Sequence, residues 1–375
     1  VQMLPELESG GVERGTLEVG KYLVDHGHRS LVISGGGKMV EQLIREGSEH
    51  INWEVGKKSL LTLRYIKKVR KFLQETQPDI LHLRSRLPAW IGYLAWKKLP
   101  KRTRPKLVTT VHGRYSVSKY SKIMMRGEKI IAVSNVIRDY ILDNYPQVDA
   151  DDIEVIHRGV DRDQYIYGYR PNKAWQKTWY GQFPQMGKKL LLTLPGRLTR
   201  LKGHEDFISV IDILIKSGQN IHGVIVGGAH PKKKRYEEEM NKKVTELGLG
   251  SHITFVGQRN DMKEILAIST IVFSLSEIPE SFGRTTLEAL SIGKPVIGYA
   301  HGGVKEQLEK VFPDGLVQVE SIKDVVEKVI LWHTSSPIIP TKHEFTLENM
   351  CSKTLDLYQE NSHTATHTSS QRSKV

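Results

Sequence analysis

Short apolar runs alternate with longer amphipathic stretches along almost the whole chain. Residues 1–7 read as a first strand. Residues 12–25 put Val12, Leu17, Val19, Tyr22 and Leu23 on one side of a helix that Gly27 stops. A strand over 30–34 then runs into Gly35-Gly36-Gly37. The alternation continues with a helix over 60–75, a strand over 79–83, a helix over 89–97 and strands over 107–111 and 129–133. A helix over 136–144 and a strand over 153–156 close this first series. Residues 162–187 break the rhythm with Tyr, Gly, Pro and Gln around a short helical piece at 173–180, and read as a crossover between domains.

A second series follows, with strands expected over 189–194, 222–226, 252–256, 271–274, 296–297 and 316–319. The helices expected between and after them cover 204–217, 234–247, 262–268, 284–292, 304–310 and 322–333. Short apolar strands that alternate with helices predict parallel sheets covered on both faces, here an α/β chain of two doubly wound, Rossmann-like domains facing a cleft. Ligands in such sheets bind at the carboxyl ends of the strands. A last helix spans 345–360, and the tail 361–375 is Ser, Thr and His without apolar period, which predicts disorder. His363 and His367 have a metal-ligand spacing only on a helix, which nothing in the tail favours.

A chain of 375 residues is long enough for two ordinary domains, and no apolar run is long enough to span a bilayer. It opens Val1-Gln2-Met3-Leu4-Pro5, inside a strand-like run and without an initiator Met or signal-peptide pattern. One or more residues are therefore expected to be missing from the start. The single cysteine, Cys351, excludes an internal disulfide and a Cys-rich metal site, and a reducing cytosol is the expected setting.

The net charge of +13 is concentrated. Residues 56–130 hold 20 Lys/Arg and 3 Asp/Glu, a balance of 20 − 3 = +17. Such a field attracts anionic membranes, anionic glycolipids or nucleic acid. Trp90 and Trp96 lie among Lys97, Lys98 and Arg102, and Lys122 and Arg126 flank Met124 and Met125. Aromatic and basic residues in this mixture suit an anionic membrane or acceptor surface.

The candidate chemistry gathers at three strand ends. Glu280-Ser281-Phe282-Gly283-Arg284-Thr285 leads from the strand 271–274 into a helix, and Glu288 follows Glu280 after seven intervening residues. A helix start offers free N–H groups and partial positive charge to phosphates, while the two carboxylates suit ribose and sugar hydroxyls. Gly196-Arg197 and Lys202 follow the strand 189–194, where two fixed cations neutralise a diphosphate and its departing charge. His112 ends the strand 107–111, where an imidazole meets a sugar hydroxyl or leaving group.

Glu280-Ser281-Phe282-Gly283-x-x-x-x-Glu288-Ala289-Leu290-Ser291-x-Gly293-x-Pro295-Val296-Ile297 resembles the signature of the family-4 retaining glycosyltransferases (glycosyl transferases group 1), and Gly196-Arg197-Leu198-x-x-x-Lys202-Gly203 resembles their phosphate clamp. The resemblance, to bacterial lipopolysaccharide and glycolipid transferases among them, implies the GT-B fold. It implies an acceptor domain over 1–165, a donor domain over 166–344, and a final helix, 345–360, that returns to the first domain. It implies a nucleotide-sugar donor held by Arg197, Lys202, Ser281, Phe282, Gly283, Arg284, Thr285 and Glu288, with His112 and Glu280 at the reacting sugar. Gly10 and Gly11 match a glycine-rich loop, Gln258 and Arg259 a base-contacting loop, and Gly302, Gly303 and Glu306 a further part of the pattern. Where the family has Ile-x-Asn-Gly-Val-Asp, this chain has Arg158 for the Asn, so a sugar-positioning role of that loop does not carry over.

The expected activity is metal- and cofactor-independent transfer to a lipid-linked or lipopolysaccharide precursor in cell-envelope biosynthesis, at the cytoplasmic face of the inner membrane. A nucleotide-sugar epimerase of the same fold is the alternative. A phosphorylase would bring a cofactor-lysine motif that the chain lacks, and a nucleic-acid-binding role rests on charge without any recognised module.

Overall fold

The computed structural model describes residues 1–228 and 235–360. The tail 361–375, with its two histidines, and Lys234 at the expected start of a helix lie outside the described residues. Among the described residues the chain divides into two units, Val1–Arg158 with Leu347–Glu360, and Gly159–Thr346. The first division falls ahead of the expected 165/166 boundary because Val160 and Tyr165 are buried in the second unit's core. The Val160 N–H donates to the Phe345 carbonyl at 3.1 Å, and Val160 bridges Thr346. Phe345 is itself in that core, which moves the second division to 346/347.

The first unit contains β1 (Gln2–Met3), α1 (Gly11–Asp25), β2 (Leu31–Ser34), α2 (Val40–Arg45), β3 (Glu49–Asn52), α3 (Tyr65–Thr76) and β4 (Ile80–Leu83). It continues with α4 (Arg86–Lys97), β5 (Lys106–Val111), β6 (Lys129–Ala132), α5 (Asn135–Asn144) and β7 (Ile153–Val155). The strands form one parallel sheet of seven in the order β3-β2-β1-β4-β5-β6-β7. Winding starts at the middle and proceeds outward both ways, so the connections from β1 and β4 leave in opposite directions and open a crevice at their carboxyl ends.

Strand β1 is much shorter than the expected 1–7, since Pro5 has no N–H to continue the ladder, although Leu7 still donates to the Gly36 carbonyl at 2.7 Å. Helix α2 and strand β3 were not anticipated: Glu49–Asn52 is a half-exposed edge strand with no apolar run. The expected 60–75 helix begins instead as a 3₁₀ turn, Leu60–Arg64. Pro88 lies in the first turn of α4, where no intrahelical donor is needed.

The C-terminal helix Leu347–Glu360 belongs to this unit. Its Met350, Cys351, Leu357 and Tyr358 pack with Val19, Ile80, Val108, Ile131 and Ile156 over one face of the sheet, and Cys351 is buried.

The second unit contains α6 (Lys173–Gln182), β8 (Leu190–Pro195), α7 (His204–Lys216), β9 (Ile221–Val226), α8 (Arg235–Glu246), β10 (Ile253–Gly257) and α9 (Met262–Ile268). It continues with β11 (Ile271–Ser274), α10 (Arg284–Ile292), β12 (Val296–Tyr299), α11 (Gly302–Val311), β13 (Leu316–Val317) and α12 (Ile322–Thr334). Six parallel strands run in the order β10-β9-β8-β11-β12-β13, so this sheet reverses direction between β8 and β11. Its core joins Leu192, Phe207, Ile225, Phe273, Leu290 and Ile297. No helix among the described residues is long and apolar enough to cross a membrane.

Candidate active site

The reversal in the second sheet places the loops after β8 and β11 side by side, and the charged groups meet there. Lys202, at the end of the 3₁₀ turn Arg200–Lys202, puts Nζ 2.8 Å from Oε1 of Glu280, both side chains being mostly covered. The Ser276 hydroxyl donates to the same Oε1 at 2.6 Å. Glu280 makes no hydrogen bond through Oε2 among the described residues. Burial by itself would raise the Glu280 carboxyl, but the Lys202 charge and hydrogen bond, the Ser276 hydroxyl and nearby His301 outweigh it and hold it below the ordinary range.

Backbone shape makes this meeting possible. Gly203 has φ +69°, and a Cβ there would stand 1.9 Å from the Leu275 carbonyl oxygen, so only glycine lets the two loops approach. On the other side, a Cβ on Gly302 would stand 2.7 Å from the Glu280 nitrogen, and the Gly303 N–H donates to the Glu280 carbonyl at 2.7 Å. The Gln307 amide donates to the Phe282 carbonyl, and His301 Nε2 donates to the Ser276 carbonyl at 2.6 Å. The loop carrying the acid is thus clamped by the start of α11. Ser276, His301 and Gln307 were not singled out in the sequence; they belong to no charged pattern and act only through the fold.

The other expected donor residues divide by placement. Arg197 is exposed just past β8 and makes no ion pair among the described residues. Glu288 is buried in α10, whose start is formed by Gly283 at φ +88° with Arg284 and Thr285 in the first turn. Ser281 is half-buried. The Phe282 side chain is turned into the core against Phe345, with ring centroids 6.0 Å apart, so it offers a ligand only backbone. Arg259 is bound to Asp261 through two hydrogen bonds of 2.8 and 2.6 Å, and Asp261 also accepts from Trp175 Nε1 at 2.8 Å. Gln258 lines the same shallow pocket with Trp175 and Asn260. Arg200, to which the sequence assigned nothing, is held by Glu239 and lies 5.2 Å over the Tyr236 ring.

In the first unit, Gly10 precedes α1 and Gly11 begins it, with open space where a Gly11 Cβ would lie. His112, just past β5, has Nδ1 2.5 Å from Nη2 of Arg158. A guanidinium only donates, so Nδ1 is the acceptor and the ring proton sits on Nε2. That Nε2 is buried and lacks a hydrogen-bond partner among the described residues. Burial, then the charges of Arg158, Arg84 and His82, push the imidazole well below its ordinary pKa, against a smaller opposing effect of the Arg84 backbone. His112 is therefore a neutral, oriented N–H donor. The substitution of Arg158 for the family's Asn gives this ring its tautomer, a relation that no sequence spacing could reveal.

The expected membrane residues are partly structural. Trp90 Nε1 donates to the Tyr120 carbonyl at 3.0 Å and Trp96 Nε1 to the Pro105 carbonyl at 2.8 Å, and both indoles pack against the core. Arg104 lies 4.7 Å over the Trp96 ring. Met124 and Met125, expected in a basic-apolar stretch at a membrane interface, are buried. Lys97, Lys98, Arg102 and Arg126 are exposed and Lys122 is half-exposed. Among the described residues no group of three or more His, Cys, Asp or Glu is placed to hold a metal ion.

Residues 9–164 match the model for Glycosyltransferase Family 4 and residues 177–347 that for Glycosyl transferases group 1. The chain is similar to N-acetyl-alpha-D-glucosaminyl L-malate synthase of Bacillus anthracis, 24% identical over 339 residues that cover 87% of this chain and 84% of the relative. A glycosyltransferase structure from Rickettsia africae superposes with a TM-score of 0.83 and 29% identity, over 96% of this chain and 97% of that one. The structure of Anabaena Alr3699/HepE in complex with UDP-glucose superposes with a TM-score of 0.73 and 19% identity, over 100% of this chain and 99% of that one. Two adjoining family matches, two doubly wound parallel sheets and the residues at the second sheet's switch point agree, and the chain belongs to the family-4 glycosyltransferases of GT-B fold.

Proposed function

We propose that this glycosyltransferase moves a sugar, with retention of configuration, from a nucleoside diphosphate sugar to a lipid-linked or lipopolysaccharide glycan precursor. The observation that carries the reading is the Lys202–Glu280 pair at the carboxyl ends of β8 and β11, with Arg197 exposed just past β8. The diphosphate binds against Lys202, Arg197 and the start of α10, and these cations offset the charge that grows as it leaves. Glu280 turns Oε2 to the donor's hydroxyls, and Glu288 serves the ribose. The bond from the anomeric carbon to the diphosphate oxygen breaks and one to the acceptor oxygen forms on the same face; the acceptor's proton passes to the departing phosphate. An ion-paired Glu280 held below the ordinary carboxylate range is a weak base, which favours this route over proton removal by the protein.

His112 supplies one oriented N–H to a sugar hydroxyl or to the leaving group. No metal is assigned, since the chain's own cations fill that part. The excess of positive charge in 56–130 suits an acceptor carried on an anionic cytoplasmic leaflet. The test is a thermal-shift panel of UDP-, GDP-, ADP- and CMP-sugars with wild type and Lys202→Ala. One donor raising the wild-type midpoint, with the rise lost in the variant, is expected. No shift with any donor, or an unchanged shift in the variant, overturns the site.

A further inference from the structure

We propose that the 3₁₀ turn Leu60–Arg64 is a membrane-docking element that inserts leucines into the interface of an anionic bilayer while the outer face of α3 holds the headgroups. The inference deepens the reading of a lipid-linked acceptor and moves the membrane contact away from the tryptophan helix α4, whose indoles are tied to carbonyls of their own unit.

Leu60, Leu61 and Leu63 are 86%, 70% and 53% exposed, three of four consecutive residues. Single exposed leucines are ordinary, but a contiguous cluster on a monomer surface marks a binding site. The turn is built to present them. Ser59 Oγ accepts from the Leu61 N–H at 3.2 Å, the Thr62 N–H donates to the Ser59 carbonyl at 3.0 Å, and the Thr62 hydroxyl is turned inward to the Lys57 carbonyl at 2.6 Å. The only buried residue of the turn is thus its threonine, and the leucines are outside.

Charge selects the partner. Lys57, Lys58, Arg64, Lys67, Lys68, Arg70 and Lys71 flank the leucines along the chain, and residues 55–74 contain no Asp or Glu. Helix α3 buries Tyr65, Val69 and Leu73, which places Lys67 and Lys71 on the opposite side by helical spacing, while Arg64 and Lys68 lie over the Tyr65 ring at 5.2 and 5.5 Å. Lys57 pairs with Glu54 and Lys71 with Glu75, whereas Lys58, Lys67, Lys68 and Arg70 make no ion pair among the described residues. A second copy of the chain on this face would bring like charges together, which disfavours self-association. A nucleic acid would use the lysines and leave the leucines without purpose. An anionic lipid surface satisfies both, because the lysine stems cover apolar surface while their ammonium groups stay at the headgroups.

The full chain is sedimented with vesicles of phosphatidylglycerol and phosphatidylcholine, and with phosphatidylcholine alone, with no donor or acceptor present. Wild type is expected to bind the anionic vesicles, less so at high salt, and to bind neutral ones weakly. Leu60→Ser with Leu61→Ser and Leu63→Ser is expected to weaken binding at least about tenfold with an unchanged unfolding midpoint. Lys67→Gln with Lys68→Gln is expected to weaken it about fivefold for each lysine. Both variants should keep the donor-induced thermal shift, so a missing donor shift in wild type overturns the proposed donor site while leaving this inference standing. Unaltered vesicle binding in the leucine variant overturns the proposal. So does leucine-dependent self-association without lipid, RNA binding that ignores the leucines, or binding lost through Lys97→Gln with Lys98→Gln alone.

Discussion

Lys202 and Glu280 belong to two loops 78 residues apart in the chain, yet Nζ and Oε1 stand 2.8 Å apart where the second sheet changes winding direction. A charge-assisted bond between mostly covered groups fixes both, and in the proposed function this pre-places the ammonium for a diphosphate and leaves one carboxylate oxygen for a hydroxyl. Removing either group is expected to lower kcat by about 10² to 10³ with little change in the unfolding midpoint. Steady-state assays of Lys202→Ala and Glu280→Gln check this, and wild-type turnover in both variants would show that the pair only supports the fold.

Arg158 sets the state of His112. With Nδ1 accepting from the guanidinium, the ring stays neutral and protonated on Nε2 as pH falls past its ordinary value of 6.5. Arg84, His82 and the Tyr115 hydroxyl are the other polar groups around it. Nitrogen-15 spectra are expected to show one neutral tautomer of His112 from pH 8 to 6 in wild type. In Arg158→Asn the ring should begin to titrate higher, and turnover should acquire a fall on the acid side. A wild-type ring titrating at its ordinary pKa would contradict the assignment.

Gly203 is a position where one methyl group is expected to matter. Its φ of +69° and the 1.9 Å gap to the Leu275 carbonyl leave no room for Gly203→Ala without separating the two loops. A loss of roughly 2–4 kcal/mol is expected, with turnover falling further because Lys202 moves with the backbone. Gly11→Ala, facing open space, is the control and should be close to neutral in stability.

His204 and His222 are fully buried, and burial lowers both to about 4, with nearby lysines adding to the effect. Below about pH 6.5 the unfolded chain takes up a proton at each ring, while the folded chain does so only near pH 4. Stability is therefore retained above pH 6.5 and lost as pH falls through that window, by up to about 1.4 kcal/mol per pH unit for each ring. Urea midpoints at pH 7 and pH 4.5 for wild type, His204→Gln and His222→Gln check this; the variants should show the shallower dependence.

The amino-acid sequence by itself determined the class of fold, because parallel strands buried on both faces must be apolar runs and their covering helices must be amphipathic. It also marked Glu280, Glu288, Arg197 and Lys202, through the resemblance of the motifs around them to those of the family-4 glycosyltransferases. It did not disclose the edge strand Glu49–Asn52, whose half-exposed side chains carry no apolar run. Nor did it show that Phe282 faces the core, that Arg259 is bound to Asp261, or that the indoles of Trp90 and Trp96 are tied to carbonyls while Leu60, Leu61 and Leu63 stand outside. Those facts were decided by tertiary structure. The direction of a side chain and the identity of its partner depend on residues far along the chain, as Arg158 is from His112 and Ser276 is from His301, and local periodicity has no information about such distant neighbours.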